Sequence, residues 1–311
     1  MRTLVVGMAY TVHTVPVEDF PVAYQRVRDV PITTSVGGSG FVVARTLAGY
    51  GNEVFLAAPL GEDAAAATVD AAAYRYGVNS AMSPRTLTRS PRAVVLEDRH
   101  GHRLVNRDVG EAPATRVELD LGALATSDLL VVDGVLPAEA LITGARAVGV
   151  PVAVGLGRTS APPMLEQQPY LAADLLCLRV GPVVDELELL ATWRQRSAAR
   201  LVVLTLGERG ALGATADSTE VIHVPARDLG PGPRPAGLGA TYFATLAHFV
   251  FARGCAPGEA MEYAAAAAAW TVAHPGTPDG LREGVVQEAA AVTDPAAREP
   301  AAPTDGLAQA P

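Results

Sequence analysis

Residues 36–51 read VGGSGFVVARTLAGYG, a glycine-rich turn followed by an apolar run that predicts a helix at 39–50. Along the rest of the chain, alanine-rich helical stretches alternate with short apolar runs rich in β-branched residues. Runs this continuously apolar are typical of strands that are buried on both faces of a parallel sheet. The alternation therefore predicts an α/β protein with helices on both sides of a mainly parallel sheet.

The predicted elements occupy well-separated segments. Strands are expected at 3–6, 54–57, 129–132, 152–154, 175–178 and 201–204, and further helices at 62–76, 138–148, 183–193, 239–252 and 258–270. The segments at about 11–34 and 92–106 carry short alternating runs and a polar turn, which predict a small antiparallel β lid. We assign residues 1–285 to one domain. The Ala- and Pro-rich tail 293–311 is predicted to be disordered, because it has too little apolar surface to offset its ordering entropy.

Composition excludes several classes of function. Acidic residues outnumber basic ones by 33 to 24, and the net charge of -9 argues against nucleic acid or an anionic membrane as a partner. Every basic residue is an arginine, so neither a P-loop lysine nor a lysine Schiff base is available. The chain shows no signal peptide, membrane-spanning run or CxxC pair, which predicts a cytoplasmic protein. With nucleic acid and membranes disfavoured by the charge, we expect a small-molecule ligand.

Six segments, taken in order, resemble the PfkB family of sugar and nucleoside kinases. Besides residues 36–51, they are PLGEDAAAATVDAAAYRYGVNS at 59–80, SPRAVVLEDRHGHRLV at 90–105, LVVLTLGERGAL at 201–212, PAGLGATYFATLAHFVFARG at 235–254 and AAWTVAHPGTP at 268–278. The resemblance covers about residues 2–280. It implies the ribokinase-like fold, with a three-layer α/β/α core, a β lid and ligands bound at the carboxyl ends of the strands.

The resemblance implies an acceptor pocket formed by Val12, Gly37, Gly38, Ser39 and Val42. In the family, an aspartate near the place of Val12 and an asparagine at the place of Val42 hold the acceptor alcohol. A valine side chain makes no hydrogen bond, so a sugar bound in the usual way would lose several charge-assisted contacts. Valine at both places fits a less polar ligand.

The resemblance also implies a nucleotide site with ATP as the cofactor. The implied ribose and phosphate contacts are Thr205, Gly207 and Gly210, and the implied anion hole at a helix N-terminus is formed by Gly237, Leu238 and Gly239. Taken alone, these residues fit a strand that ends in a glycine turn and an ordinary helix cap as well as they fit a nucleotide site.

Magnesium is implied by the family, but its NxxE motif is degenerate in this chain. An ungapped comparison places Arg179 and Pro182 at the two polar positions. A short insertion keeps Glu186 but places Val183 where the asparagine belongs. We therefore assign no residue to a metal site.

The family's GAGD motif reads GLGA here, with Ala240 in place of the aspartate that takes the proton from the attacking alcohol. A methyl group cannot accept a proton, and general-base catalysis is worth about 10²- to 10⁴-fold. The sequence thus predicts a very weak or inactive phosphotransferase that binds a nucleotide or a small metabolite.

Two other functions remain open. An active sugar or nucleoside kinase would need a carboxylate from elsewhere, such as Asp133 or Asp228. A divergent enzyme could instead use the same pocket for a less polar substrate. We favour the inactive protein, because polar groups are missing at several separate places. Since relatives often pair through the lid, the resemblance also implies a homodimer.

Overall fold

A computed structural model describes residues 1–22, 29–159, 161–181, 185–227, 235–274, 281 and 284–286. The strands within these residues are β1 (Arg2–Val6), β2 (Tyr10–Pro16), β3 (Thr33–Gly37), β4 (Glu53–Ala57), β5 (Val78–Asn79), β6 (Arg92–Glu97), β7 (Arg103–Asp108), β8 (Leu129–Asp133), β9 (Val152–Thr159), β10 (Leu175–Val180), β11 (Leu201–Thr205), β12 (Ala211–Thr215) and β13 (Val221–Val224). The α-helices are α1 (Ser39–Gly49), α2 (Ala64–Arg75), α3 (Leu121–Ala125), α4 (Glu139–Ala147), α5 (Glu186–Arg196), α6 (Leu238–Phe251) and α7 (Pro257–Ala273).

The large sheet has nine strands in the order β13-β12-β11-β10-β9-β8-β1-β4-β5. Neighbouring strands are parallel from β11 to β5, and only β12 and β13 at one edge pair antiparallel. Parallel neighbours require crossover connections, which the intervening helices supply. The predicted α/β class with a mainly parallel sheet is confirmed.

Two hydrophobic cores cover the two faces of this sheet. Successive strand residues point to opposite faces, so Val5 belongs to the core that contains Phe41 of α1 and Phe243 of α6, whereas Leu4 belongs to the core that contains Trp193 of α5. Trp193 is fully buried, and replacing such a residue by alanine typically costs about 3 to 5 kcal/mol. The helices on both faces form the outer layers of the predicted three-layer core.

The lid is a separate four-stranded sheet in the order β3-β2-β6-β7. The outer pairs β2–β3 and β6–β7 are antiparallel, while β2 and β6 run parallel because a long connection through α1, β4 and α2 joins them. One face of β6 buries Ala93 and Val95, and the other exposes Val94. The lid predicted at 11–34 and 92–106 is thus present, with residues 23–28 outside the described part.

Most helices begin and end within two residues of the predicted bounds. The largest shifts are of three residues. The helix α7 ends at Ala273 rather than at 270. The helix α5 starts at Glu186 rather than at 183, because the Asp185 carboxylate accepts hydrogen bonds from the Leu187 and Glu188 amides and caps the helix there. The tail at 293–311 lies outside the described residues, so its predicted disorder and the domain boundary at 285 stay predictions.

Candidate functional site

The lid brings Val12 beside Gly37. Within the antiparallel pair β2–β3, Val12 lies opposite Ser35. A Cβ atom built on Gly37 would come within 2.9 Å of the Val12 Cγ2 atom. Two predicted acceptor residues from separate segments are therefore in contact, and the valine methyl groups face the glycine rather than a polar partner.

Two glycines, Gly38 just before α1 and Gly40 in its first turn, allow the start of this helix to pack directly on the turn after β1. Gly38 has a φ of 102°, and a Cβ there would lie 2.3 Å from the carbonyl oxygen of Met8. At Gly40 a Cβ would lie 2.5 Å from the carbonyl carbon of Gly7. Any side chain at these places would push α1 away, so the first turn of α1 sits at the carboxyl end of β1 only because both residues are glycine.

Ser39, the first residue of α1, donates a short hydrogen bond to the carboxylate of Asp133 at the end of β8. The Met8 amide also approaches Asp133 Oδ2, at 3.5 Å. Burial raises the pKa of Asp133, and the hydrogen bonds from Ser39, Met8 and Val135 only partly offset that effect. Asp133 is thus a buried ionisable group that lies directly behind an exposed pocket residue.

The first turn of α1 also contacts the predicted anion hole. Val42 is buried, and its Cγ1 atom would lie 3.2 Å from a Cβ built on Gly237. Gly237 has a left-handed backbone and forms the N-cap of α6, where the Thr241 amide donates to its carbonyl oxygen. Since the first turn of α1 lies at the carboxyl end of β1, the N-terminus of α6 lies there too.

Gly239 borders open space at this helix N-terminus. A Cβ built on Gly239 would meet no atom of the described residues within 4 Å, outside its chain neighbours and its own helix. Leu238 and Ala240 flank it and are half-buried, and Ala240 packs against the core. No carboxylate of the described residues therefore stands at the position just above Gly239.

The three predicted nucleotide-side residues form one turn after β11. Thr205 ends the strand, and its hydroxyl donates to the carbonyl oxygen of Leu178, 3.3 Å away. Gly207 and Gly210 have φ values of 68° and 87°. A Cβ on Gly210 would lie 2.1 Å from the carbonyl oxygen of Val224, whereas one on Gly207 would meet nothing within 4 Å. Gly210 thus has a packing role, while Gly207 leaves open space.

The residues at the place of the metal motif do not fit Mg²⁺. Arg179 lies at the carboxyl end of β10, in register with Thr205, and contributes a cation where an oxygen ligand is needed. Arg209 donates to the Glu186 carboxylate at 2.6 Å, and this hydrogen bond lowers the pKa of Glu186. Pro182 and Val183 lie outside the described residues, as does Asp228. No group of three or more His, Cys, Asp or Glu side chains within the described part is placed to hold a metal.

Comparison with known proteins places the fold of this chain among the ribokinase-like structures. Residues 3–148 match the pfkB family of carbohydrate kinases. A microbiome-derived acarbose kinase is 22% identical, with a TM-score of 0.77 over 92% of this chain and 99% of its own. Ribokinase from Arabidopsis thaliana, solved with ribose and ATP, is 20% identical, with a TM-score of 0.75 over 93% and 98%. Ribokinase from Cryptococcus neoformans, solved with ADP, is 19% identical, with a TM-score of 0.68 over 92% and 98%.

The solved structures establish the fold, which confirms the expected resemblance. No curated protein matches the sequence. Within the described residues, none of the helices has both the length and the apolar character needed to cross a membrane.

Proposed function

We propose that this chain, which has the ribokinase fold and matches the PfkB carbohydrate kinases over residues 3–148, binds a nucleotide or small metabolite but transfers phosphoryl groups very slowly or not at all. Ala240 carries this proposal. It occupies the first turn of α6 beside the open space at Gly239, and no carboxylate of the described residues lies within 4 Å of a Cβ built there. The attacking alcohol would therefore lack a base.

Nucleotide binding is supported by the open surface at the start of α6 and at the turn after β11, which we together call the cleft. Gly239 and Gly207 each leave space that a side chain would fill, and the free amides at the start of α6 favour a phosphate group. Two of the similar structures contain ATP and ADP, respectively. We therefore propose ATP or ADP as a ligand of this chain. We assign no described side chain as a ligand of Mg²⁺, because Arg179 is a cation and Glu186 is already paired with Arg209.

The acceptor side favours a ligand with few hydroxyl groups. Val12 and Val42 place methyl groups beside Gly37 and Gly237, where a polyol would need hydrogen-bonding partners. A polar ligand that loses its hydrogen bonds to water here would gain none from these side chains, which costs affinity. The ligand of this half of the pocket is proposed to be a less polar alcohol or metabolite.

Asp133 supports a second candidate, an active kinase with a relocated base. Its carboxylate is buried behind Ser39, and burial raises its pKa, which strengthens a carboxylate as a base once it is ionised. Ser39 is exposed and could pass a proton from a ligand to Asp133. Among the described residues, Asp133 contacts Gly7, Met8 and Ser39 rather than the start of α6, which favours the inactive protein over this alternative.

The deciding measurement is ADP release from ATP and Mg²⁺ with a panel of pentoses, hexoses and nucleosides. The Ala240→Asp variant should gain turnover by about 10²-fold or more, because it supplies the missing carboxylate. Ala240→Asn is the matched control, since the asparagine side chain has about the size of aspartate but cannot act as a base.

Each result has a clear meaning. Turnover by the unmodified protein would contradict the proposal, and its loss in Asp133→Asn would favour the relocated base. No turnover in any of the three proteins would point to a binding protein or to a different reaction.

We also propose a cytoplasmic homodimer that forms through the lid. Val94 and Leu104 are exposed to 44% and 59%, and they share one face because Leu104 pairs in register with Leu96. This face lies opposite the one that buries Ala93 and Val95. An apolar sheet face of this kind is a common site of subunit contact.

A further inference from the structure

Two arginines lie side by side at the carboxyl edge of the large sheet. Arg158 near the end of β9 pairs in register with Arg179 of β10, and Arg179 pairs in turn with Thr205 of β11. Neighbouring strands are about 4.8 Å apart. The two guanidinium-bearing side chains therefore start from adjacent backbone positions, next to the turn that we assign to the nucleotide.

A bulge in β9 places both arginines on one face. The register between β9 and β10 shifts after Leu156, so that Gly157 and Arg158 together oppose Arg179. A Cβ built on Gly181 would lie 2.9 Å from the Cγ atom of Arg158, and Gly181 lies two residues after Arg179 on the same side of the chain. Arg158 and Arg179 thus project from the same face of the sheet.

That face is the one covered by α6. Gly155, three residues before Arg158, lies against the ring of Phe243, because a Cβ there would come within 2.8 Å of Phe243 Cδ1. Three strand residues span about 10 Å, and the five residues from Phe243 back to Leu238 span about 7.5 Å of helix. The arginines are therefore level with the N-terminus of α6, where Gly239 borders open space.

Neither arginine has an ion-pair partner among the described residues, and both are exposed. Three carboxylates near Arg179 along the chain are already engaged, since Asp174 pairs with Arg200, Glu186 binds Arg209 and Asp185 caps α5. Two like charges directly opposite each other destabilise a sheet. A bound anion would remove this repulsion.

We propose that Arg158 and Arg179 bind a phosphate group of the ligand without a divalent cation, in the cleft beside the N-terminus of α6. Guanidinium groups bind phosphate through paired, charge-assisted hydrogen bonds, which a hydrated metal ion otherwise replaces. The phosphate belongs either to a nucleotide or to a phosphorylated sugar. This inference rests on the proposed function, because it assigns the charge of the same cleft.

The test compares the full-length protein with Arg158→Gln and Arg179→Gln. Arg75→Gln serves as the matched control, because Arg75 is exposed and lies at the far end of α2. Calorimetric titration gives the Kd of ADP and of ribose 5-phosphate, first in EDTA and then in MgCl₂. We expect binding in EDTA that each pocket variant weakens about tenfold or more, with no change in the control. Binding of only one probe identifies the nucleotide or the sugar phosphate as the source.

The melting temperature provides an independent readout. Both arginine variants should melt at or above the temperature of the unmodified protein, because each removes a like-charge contact. An unchanged Kd in both variants, or binding that requires Mg²⁺, would overturn the arginine site while leaving nucleotide binding intact. Absence of any binding by a folded protein would also overturn it. In that case, turnover gained by Ala240→Asp would show that the proposed function survives on its own.

Discussion

At the residue scale, the proposed function depends on two side chains. We propose that Ala240 leaves the start of α6 without a proton acceptor, whereas Asp133 is a buried carboxylate that accepts a hydrogen bond from Ser39 in the first turn of α1. Asp133 is 8% exposed and accepts a hydrogen bond from the Ser39 hydroxyl. A buried carboxylate of this kind costs stability when it is ionised.

The ionisation of Asp133 predicts a pH dependence of stability. Because burial raises its pKa, its contribution is fully present below the ordinary value of 3.8 and is lost as the pH rises through the raised pKa. Asp133→Asn keeps an acceptor for Ser39 and cannot ionise. We therefore expect the free energy of unfolding of this variant to increase, relative to the unmodified protein, as the pH rises above about 4. Urea unfolding of both proteins at several pH values measures this difference in the free energy of unfolding.

Ser39→Ala is the companion variant, because it removes the hydroxyl donor and leaves the carboxylate. It should strengthen the loss of stability at rising pH, since Asp133 loses a partner that favours its charged form. A difference between Asp133→Asn and the unmodified protein that is constant with pH would show that Asp133 is already ionised at low pH.

At the element scale, α2 is tied to the lid through one carboxylate. Asp63 caps α2 by accepting from the Ala66 amide at 2.9 Å, and its other oxygen accepts from the Ser90 amide at 2.9 Å, just before β6. Partial burial raises the pKa of Asp63, but the hydrogen bonds from Ser90 and Ala66 and the charge of Arg92 outweigh it and lower the pKa to about 2. The same side chain thus orients a core helix and the lid.

Replacing Asp63 by alanine should cost about 1 to 2 kcal/mol of unfolding free energy at neutral pH, because it removes a helix cap and the link to Ser90. Since the folded pKa lies below 3.8, this stabilisation is present above about pH 4 and is lost as the pH falls toward 2. Chemical denaturation at neutral and acidic pH measures both effects.

Asp120→Ala is the matched control for the lid link. Asp120 caps α3 through the Ala123 amide at 2.6 Å, and no hydrogen bond from the lid to Asp120 is seen in the described residues. We expect Asp120→Ala to lower the free energy of unfolding by less than Asp63→Ala does. Equal losses would mean that the Ser90 contact adds no stability.

At the scale of the whole molecule, the lid is the element that could join two copies. We expect the unmodified protein to sediment as a dimer and Leu104→Arg to sediment as a monomer, because a buried arginine without a partner would prevent the two faces from meeting. Tyr74→Arg, on a residue of α2 that is 87% exposed, should stay dimeric. A monomeric unmodified protein, or a dimeric Leu104→Arg variant, would contradict pairing through this face.

The sequence by itself determined the layered fold. Buried strands need continuous apolar runs, and the alternation of these runs with helices requires a parallel sheet, so the α/β class and six of the nine strands of the large sheet could be predicted from composition and period. The short strands β5, β12 and β13 and the short helix α3 were not predicted. The helix caps at Gly38 and Gly237 were also predictable, because caps depend on neighbours in the chain. The alanine at position 240, where the PfkB motif that the chain resembles has an aspartate, is likewise visible in a single motif.

Only the tertiary structure decided which side chains meet. Ser39 and Asp133 are 94 residues apart, and their hydrogen bond depends on how α1 packs against β1 and β8. Arg158 and Arg179 come together through strand register and one bulge, neither of which a single sequence specifies. Apolar periodicity fixes the face that a strand buries, but polar residues at the carboxyl edge follow no period. Their partners are therefore set by the three-dimensional arrangement of the strand ends.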